Sequence, residues 1–290
     1  MAEYKEIHGT KIRNYTTNPD NPIQGEVWYN DTDNVLKFQY AAVTTSGSWA
    51  SAPALNTGRA ELSGAGTSTA ALMFGGNSPP GAANAATELF NGTTYSEVND
   101  LSTARLTLGG AGATNTACLA FGGSDGTPGY QNETETWNGT NWTEVNDQNQ
   151  ARQTISGAGT STAALAFGGN NASTTDYALT ETWNGTNWTE VNDLNTAREK
   201  ISGQGASNTD CMAAGGVLNA PNTAQAKTEI WNGTNWTEDG DMNNARSAGA
   251  GGGTTSAAVI ANGSNDPGLS QQCEEWTGAG DPQTRTFDDS

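Results

Sequence analysis

One short segment returns along the chain with little change. Residues 135–147 read Glu-Thr-Trp-Asn-Gly-Thr-Asn-Trp-Thr-Glu-Val-Asn-Asp, and the pattern recurs at 181–193, from 229 onward and, more loosely, at 88–100. Asn-Gly between two β-favouring stretches predicts a tight turn of type I′, because both residues tolerate positive φ. The aromatic residues on either side of the turn are then expected on neighbouring antiparallel strands. The segment therefore predicts a β-hairpin that is copied serially along the chain.

The hairpin is part of a longer repeat that opens with arginine. The repeats start at intervals of 46, 47, 46 and 48 residues, at Arg59, Arg105, Arg152, Arg198 and Arg246. Each repeat has four strand-like pieces, of which the first is rich in small residues and the last two carry the aromatic residues. Four short strands at such a period predict the blade of a β-propeller. The size gradient favours a propeller over a stacked solenoid, because wedge-shaped blades are crowded only at the axis.

The sequence leaves the number of blades open. Residues 25–40 predict a further hairpin, and the stretch that starts at Trp49 aligns with the last strand of a repeat. Six blades result if 11–56 forms a blade of its own and Thr284–Phe287 completes the last one. Five result if the strand at Trp49 completes the fifth repeat. We expect six, with an N-terminal arm and hairpin at 1–45 and the propeller at 46–290.

Charge and composition exclude several kinds of partner. The formal net charge is −19, with only 12 Lys and Arg residues, so no basic patch for nucleic acid or an anionic membrane can be assembled. The chain has no apolar leader and no run of membrane-spanning length, so we expect synthesis in a cytoplasm and no membrane insertion. The three cysteines do not resemble a disulfide framework, and Cys118 and Cys211 stand where other repeats have alanine.

Polar and aromatic residues that recur in every repeat are expected to be structural. Catalytic groups are seldom needed five times, whereas scaffold contacts are. We expect the repeat arginines to pair with the glutamates that precede the third-strand aromatics, tying blade edges together. These glutamates are Glu88, Glu135, Glu181, Glu229 and Glu274. The repeated tryptophans are expected to pack between blades rather than to form platforms for sugars.

The residues of an enzyme are largely missing. The only histidine is His8, which lies outside the repeats, so histidine metal sites and Ser-His-Asp triads are excluded. A carboxylate pair remains open by residue type, but no carboxylate stands out from the repeat pattern. Asp31 and Asp33 are expected in a hairpin turn rather than in a Ca²⁺ site. We predict no enzymatic activity, no cofactor and no metal site.

The loops between the second and third strands differ from repeat to repeat. They cover 77–87, 124–134, 170–180, 217–228 and 264–272. Such loops emerge on one face of a propeller, and binding residues concentrate on loops that a rigid scaffold displays. The candidate ligand contacts are Asp125, Tyr130, Asp176, Tyr177 and Asp266. Unconstrained drift is the alternative reason for their divergence.

Two resemblances to known families follow from these motifs. The Gly-Gly doublet, the spaced aromatic, the Trp and the following Arg resemble the kelch repeat, whose blades form a propeller, over residues 46–290. The spacing between the aromatics is short, and Asn262-Gly263 replaces the doublet in the fifth repeat. Residues 18–37, with Asn-Pro-Asp-Asn-Pro-Ile-Gln-Gly-Glu-Val-Trp-Tyr-Asn, resemble a module of tailed-phage structural and fibre proteins, notably those of marine cyanophages.

The second resemblance implies a virion structural protein, such as a tail fibre or a capsid appendage for host attachment. Its N-terminal region would dock on other virion proteins, and its propeller would face a host-surface glycan or protein. Such a protein is made in the host cytoplasm and released by lysis, and it could form a homo-oligomer. A bacterial lectin-like adhesive propeller that binds glycans is the alternative, and a propeller enzyme is disfavoured by the missing histidines.

Overall fold

The structure is a computed structural model, and it describes residues 13–15, 27–30, 32, 35–38, 53–79, 81–126, 129–171, 175–219, 222–265, 268–269 and 272–278. The chain divides into two compact units, Met1–Ser51 with Pro282–Ser290, and Ala52–Asp281. Across the described residues the secondary structure is entirely β, with strands, bridges and turns but no helix, as predicted. Consequently, no helix in this part of the chain could span a membrane.

The first unit contains a small three-stranded sheet. Val27–Asn30 pairs with Val35–Phe38 in an antiparallel hairpin, which confirms the hairpin predicted at 25–40. Arg13–Tyr15 adds to Val27–Asn30 in parallel, so this sheet does not follow the antiparallel order of a blade. The predicted strand at Trp49, together with His8, Asp31 and Asp33, lies outside the described residues.

The second unit contains five antiparallel sheets, each formed by one repeat. Strands follow one another from the centre outward in chain order. Blade 1 comprises Ser63–Thr67, Ala70–Phe74, Thr87–Phe90 and Tyr95–Glu97. Blade 2 comprises Gly109–Thr114, Ala117–Phe121, Thr134–Trp137 and Trp142–Val145. Blade 3 comprises Ser156–Thr160, Ala163–Phe167, Thr180–Trp183 and Trp188–Val191.

Blades 4 and 5 complete the series. Blade 4 comprises Ser202–Ser207, Asp210–Ala214, Thr228–Trp231 and Trp236–Asp239. Blade 5 comprises Ala250–Gly253, Ala257–Ala261 and Cys273–Thr277, and its predicted last strand at Thr284–Phe287 lies outside the described residues. Two-stranded ribbons decorate three loops: Asn77–Ser78 with Ala82–Ala83, Val217–Leu218 with Thr223–Ala224, and Ser264–Asn265 with Gly268–Leu269.

The five blades form a propeller ring, so the prediction of six blades is not supported. The innermost strands of all five blades surround a central channel, one part of which has a volume of about 300 Å³. Five blades was the alternative that the sequence left open. The expected sixth blade at 11–56 fails on topology, since the strands described there include a parallel pair and belong to the other unit.

Glycines at the hub allow the inner strands to approach closely. A Cβ on Gly157 would lie 2.4 Å from the ring of Phe121 and 2.8 Å from the carbonyl oxygen of Gly110 in the preceding blade. A Cβ on Gly203 would likewise lie 2.4 Å from Ser156 Oγ. Any larger residue would push neighbouring blades apart, which is the physical basis of the size gradient in the repeat.

Aromatic residues fill the space between blades farther from the axis. Phe121 of blade 2 meets Trp188 of blade 3 edge to face, with ring centroids 5.0 Å apart, and Phe167 meets Trp236 in the same way. Trp188 Nε1 also donates a hydrogen bond to the buried hydroxyl of Thr134 in blade 2, at 2.9 Å. Blades 2, 3 and 4 are therefore each held to the preceding blade by packing and by a buried hydrogen bond.

The outer hairpin is confirmed, but its predicted turn type is wrong. Trp137 pairs directly with Trp142, so four residues form the loop instead of two. The Oδ1 atom of Asn138 accepts hydrogen bonds from the backbone N–H groups of Thr140 and Asn141, at 3.0 and 2.9 Å. Only Gly139 has positive φ, at 94°. A type I′ turn needs two residues with positive φ. Here the hydrogen bonds of the Asn138 side chain hold the loop, so that one such residue is enough.

A chain of backbone hydrogen bonds runs from blade to blade where each repeat enters its inner strand. Thr107, Thr154, Lys200 and Ala248 each donate an N–H to the carbonyl of the equivalent residue in the preceding blade, at 2.9 to 3.3 Å. These residues, and Glu61 at the start of the series, have φ between 51° and 54°, which is costly for side chains other than glycine. We infer that the blade-to-blade bonds stabilise this conformation.

Candidate binding face

The variable loops lie at one end of every blade. In an antiparallel meander the connections alternate between the two ends of the sheet, so the loop after strand two shares an end with the chain that enters strand one. Bridges join these two segments in each repeat: Ala60 with Asn77, Leu106 with Ser124, Gln153 with Asn170, Glu199 with Val217, and Ser247 with Ser264. We refer to this end as the loop face.

The recurring arginines and glutamates are buried together. Arg105 Nη2 lies 2.7 Å from Glu135 Oε1, and Arg198 Nη2 lies 3.0 Å from Glu229 Oε1. The equivalent pairs are Arg59 with Glu88 at 3.1 Å, Arg152 with Glu181 at 3.3 Å, and Arg246 with Glu274. Burial lowers the pKa of Arg105, Arg152 and Arg198, while the partner carboxylates act to raise it.

The arginines of blades 2 to 5 each contact two blades, as Arg152 shows. The N–H of Gly123 in blade 2 donates to the carbonyl of Arg152, at 2.9 Å, and the N–H of Arg152 donates to the carbonyl of Gln131, at 3.2 Å. The guanidinium of Arg152 instead reaches blade 3, where it donates to the carbonyl of Leu179 at 3.1 Å and pairs with Glu181. The repeated arginines and glutamates therefore form buried scaffold contacts.

The repeated tryptophans are also part of the scaffold. Trp137, Trp142, Trp183, Trp188, Trp231 and Trp236 expose between 1% and 7% of their surface. Their indole N–H groups are satisfied inside the protein, as in the 3.1 Å bond from Trp137 Nε1 to the carbonyl of Asn115. A buried ring cannot stack on a sugar, so these residues are not a carbohydrate platform.

The predicted ligand contacts lie in two neighbouring loops. Asp125 Oδ2 accepts a hydrogen bond from Gln131 Nε2 of its own loop, at 3.2 Å. Asp176 Oδ2 instead accepts from the backbone N–H of Asn219 in the loop of blade 4, at 2.7 Å. Tyr130 and Tyr177 are half-buried beside them. Asp266 lies outside the described residues.

The sequence reasoning missed Glu199, which is buried in the same region. The other repeats have Ala60, Leu106, Gln153 and Ser247 at this position, so Glu199 does stand out from the repeat pattern. Its residue is 4% exposed. Glu199 Oε2 accepts hydrogen bonds from Thr154 Oγ1, at 2.8 Å, and from Asn170 Nδ2. Lys200 Nζ lies 3.6 Å from the other oxygen, Oε1, on the exposed side.

Two side-chain oxygens in the loop of blade 3 have no hydrogen-bond donor. They are Asn170 Oδ1 and Asp176 Oδ1, both buried at the atom level. Asn170 and Asp176 are bridge partners, so their side chains leave the same face of the loop, and such Cβ atoms lie about 5 Å apart. We call Asn170, Asp176 and Glu199 the blade 3–4 cluster. It offers acceptors for a cation or for a ligand that carries N–H or O–H groups.

The central channel has fewer polar side chains that could bind a ligand. Its lining residues are glycine, alanine, serine, leucine, isoleucine and one glutamine, with no charged side chain among those described. Gln204 is buried, and its Nε2 donates to Ser202 Oγ at 2.6 Å while Oε1 has no partner. The blade 3–4 cluster is thus the richer candidate site.

Comparison with known proteins identifies the fold and nothing finer. No family model matches the chain, and no curated protein sequence is significantly similar to it. Solved structures do match, among them the structure of YjhT, with a TM-score of 0.64 over 76% of this chain and 81% of that chain. The chain is similar to YjhT in fold. At 10% sequence identity this similarity does not extend to activity or ligand.

Proposed function

We propose that the chain is a non-enzymatic, kelch-like propeller that serves as a structural protein of a tailed-phage virion. Its N-terminal region attaches to other virion proteins, and the loop face of the propeller contacts the host surface. The supporting sequence observation is the phage-type segment at 18–37 next to a tandem array of nearly identical repeats. The division into an N-terminal unit and a propeller unit is consistent with one part for attachment and another for display.

One structural observation favours a binding role over a catalytic one. The two polar residues that recur in all five repeats, the arginine and the glutamate, are buried against each other within the scaffold, as Arg152 is with Glu181. The residues that differ between repeats cluster instead on the loop face. A scaffold that is uniform in its buried contacts and variable on one face suits recognition of a partner.

Mass spectrometry of purified virions tests the virion hypothesis. We expect peptides of this chain in particles that have been purified through two density gradients, at a constant ratio to the major capsid protein. A chain that is present in the lysate but separates from the particles would contradict the hypothesis.

A glycan-binding adhesin of a bacterium is the second candidate. It is favoured by the carboxylate of Asp176 and the half-buried ring of Tyr177 in the variable loop of blade 3, since carboxylates that accept sugar hydroxyls and aromatic rings are both common in carbohydrate sites. A glycan array probed with the full chain and with Tyr177→Ala tests glycan binding by the loop face. We expect Tyr177→Ala to lose binding and Glu144→Gln, an exposed change on blade 2, to retain it.

The two experiments separate the two hypotheses. Glycan binding together with absence from virions would support the adhesin. Presence in virions without glycan binding would support a structural virion protein whose host contact, if it makes one, is with a protein.

A further inference from the structure

We propose that the blade 3–4 cluster binds a hard divalent cation, Ca²⁺, through Asn170 and Asp176. The inference does not depend on the virion hypothesis, because it rests only on contacts within the propeller unit. It also departs from the sequence-based prediction of no metal site. Among the described residues no three His, Cys, Asp or Glu side chains come together, so the site requires an amide oxygen as well as carboxylates.

The amide of Asn170 is held in one orientation. Asn170 is 5% exposed, and its Nδ2 donates to Glu199 Oε2. The opposite orientation would place two oxygens against each other, which is unfavourable. Glu199 therefore directs Asn170 Oδ1 away from itself and leaves this oxygen buried without a donor. A buried oxygen without a partner is costly, and a cation or its bound water would remove that cost.

Asp176 supplies the charge of the proposed site. The backbone N–H of Asn219 fixes Asp176 Oδ2 at 2.7 Å, which leaves Oδ1 as the free ligand atom on the face shared with Asn170. Ca²⁺ takes six to eight oxygen ligands at about 2.4 Å, often including several waters. Asp176 is only half-buried, so water can complete the coordination shell.

The local charges agree with a cation at this place. Among the described residues, Lys200 is the cation that forms an ion pair with the cluster, and it approaches Glu199 Oε1 on the exposed side. It therefore balances Glu199 and leaves the charge of Asp176 uncompensated. The equivalent positions of blade 2 carry Ser124 and Tyr130, so the blade 2–3 boundary lacks these ligands. We expect one site per chain and not one per blade.

Calorimetric titration of Ca²⁺ into the EDTA-treated full chain tests the proposal. With physiological salt to screen the acidic surface, we expect saturable binding of one Ca²⁺ per chain, with a dissociation constant of about 0.1–1 mM. Asp176→Asn should abolish saturable binding. The control Glu144→Gln removes one exposed carboxylate from blade 2 and should bind as the wild type does. Absence of saturable binding to the wild-type chain up to about 10 mM overturns the proposal.

Two further variants keep the test decisive if Asp176→Asn fails to fold. Asn170→Ser and Glu199→Gln introduce residues that the scaffold already carries at Ser124 and Gln153. We expect each to keep its circular dichroism spectrum in EDTA and to weaken Ca²⁺ binding about tenfold, Asn170→Ser by losing a ligand and Glu199→Gln by removing the negative charge that offsets Lys200. Unchanged affinity in Asn170→Ser, or in a folded Asp176→Asn, contradicts the site.

Discussion

Each blade buries a charged guanidinium where a small apolar residue would be simpler. The arginine side chain donates to backbone carbonyls as well as to its glutamate, as Arg198 does to Gly215 and Lys227 at 2.6 and 2.8 Å. Replacing one partner of a buried ion pair leaves the other charge uncompensated, which costs about 3–5 kcal/mol. The glutamates also accept from the backbone before the arginine, as in the 2.7 Å bond from the N–H of Asn195 to Glu229. One carboxylate therefore fixes both the arginine and the chain that enters the blade.

The fifth pair makes stability depend on pH. Burial acts to raise the pKa of Glu274, but the hydrogen bond from the N–H of Asn243 and the charge of Arg246 outweigh burial, and the pKa is lowered from 4.5. A carboxylate whose pKa is lower in the folded state stabilises the fold at neutral pH. This contribution is lost as the pH falls from about 4.5 through the folded-state pKa.

We therefore expect Glu274→Gln to lower the melting temperature at pH 7 and to lower it progressively less below pH 4.5. The measurement is the melting temperature of both proteins between pH 3 and pH 7. A difference between them that stays constant over this range would show that the charge of Glu274 contributes nothing.

The three cysteines are expected to differ in reactivity. Burial raises the pKa of the Cys118 thiol to about 12, and it raises the pKa of Cys211 further, whereas Cys273 is exposed. Since the thiolate is the reactive form, Ellman's reagent at pH 8 should label one thiol quickly in the folded chain and three in urea. Removal of the fast phase by Cys273→Ser is the control. Fast labelling of two or more thiols without urea would contradict the burial of Cys118 and Cys211.

At the scale of elements, the outer hairpin of one blade fastens it to the blade before. Trp188 packs against Phe121 and donates to the hydroxyl of Thr134, which is fully buried. Trp188→Phe would leave this hydroxyl without its partner and open a cavity, so we expect a loss of about 2–3 kcal/mol of unfolding free energy. Urea denaturation measures the loss.

Tyr95→Phe is the matched control for this prediction. Tyr95 occupies the equivalent place in blade 1, where it is half-buried and packs against Phe90 of its own blade at 4.8 Å. Its substitution should cost less than about 0.5 kcal/mol. Equal losses in Trp188→Phe and Tyr95→Phe would mean that the contacts between blades do not determine stability.

The strands were predictable because the same strand-like segments follow one another in the same order in every repeat. The pairing of Trp137 with Trp142 followed from aromatic residues placed on both sides of Asn-Gly. The turn type did not follow, because Asn138 stabilises the loop with its side chain and so avoids positive φ. The left-handed backbone at Thr107 and Thr154 could not be predicted either, because threonine does not favour this conformation. The hydrogen bond that accompanies it joins two different blades, which the sequence of one repeat does not show.

At the scale of the whole molecule, the propeller was predictable and the number of blades was not. Five copies of a wedge-shaped repeat imply a ring, but the sequence before Arg59 also contains strand-like pieces that could be counted as a sixth. Two observations distinguish the described strands of this region from a blade: the parallel pairing of Arg13–Tyr15 with Val27–Asn30, and their place in a separate compact unit. Pairing direction is set by tertiary contacts, and short strands such as these do not encode it.

The candidate site was only half predictable for a related reason. Asp176 and Tyr177 were found because they lie in a variable loop. Asn170 opens the same variable loop but was not singled out, and Glu199 precedes the inner strand of blade 4, where only an alignment of all five copies shows that it breaks the pattern. We infer that residues repeated in every blade hold the ring together, and we propose that residues that break the repeat serve recognition.

The unfolding free energies of Glu229→Gln and Glu199→Gln test this account most directly. Both glutamates belong to the repeat that forms blade 4, and both are almost fully buried, at 0% and 4% exposure. Glu229 is repeated in every blade and neutralises Arg198, so we expect its substitution to cost about 3–5 kcal/mol. Glu199 breaks the repeat, and glutamine can accept the same hydrogen bonds from Thr154 and Asn170, so we expect less than about 1 kcal/mol. Equal losses, or a larger loss in Glu199→Gln, would contradict the separation of scaffold from recognition.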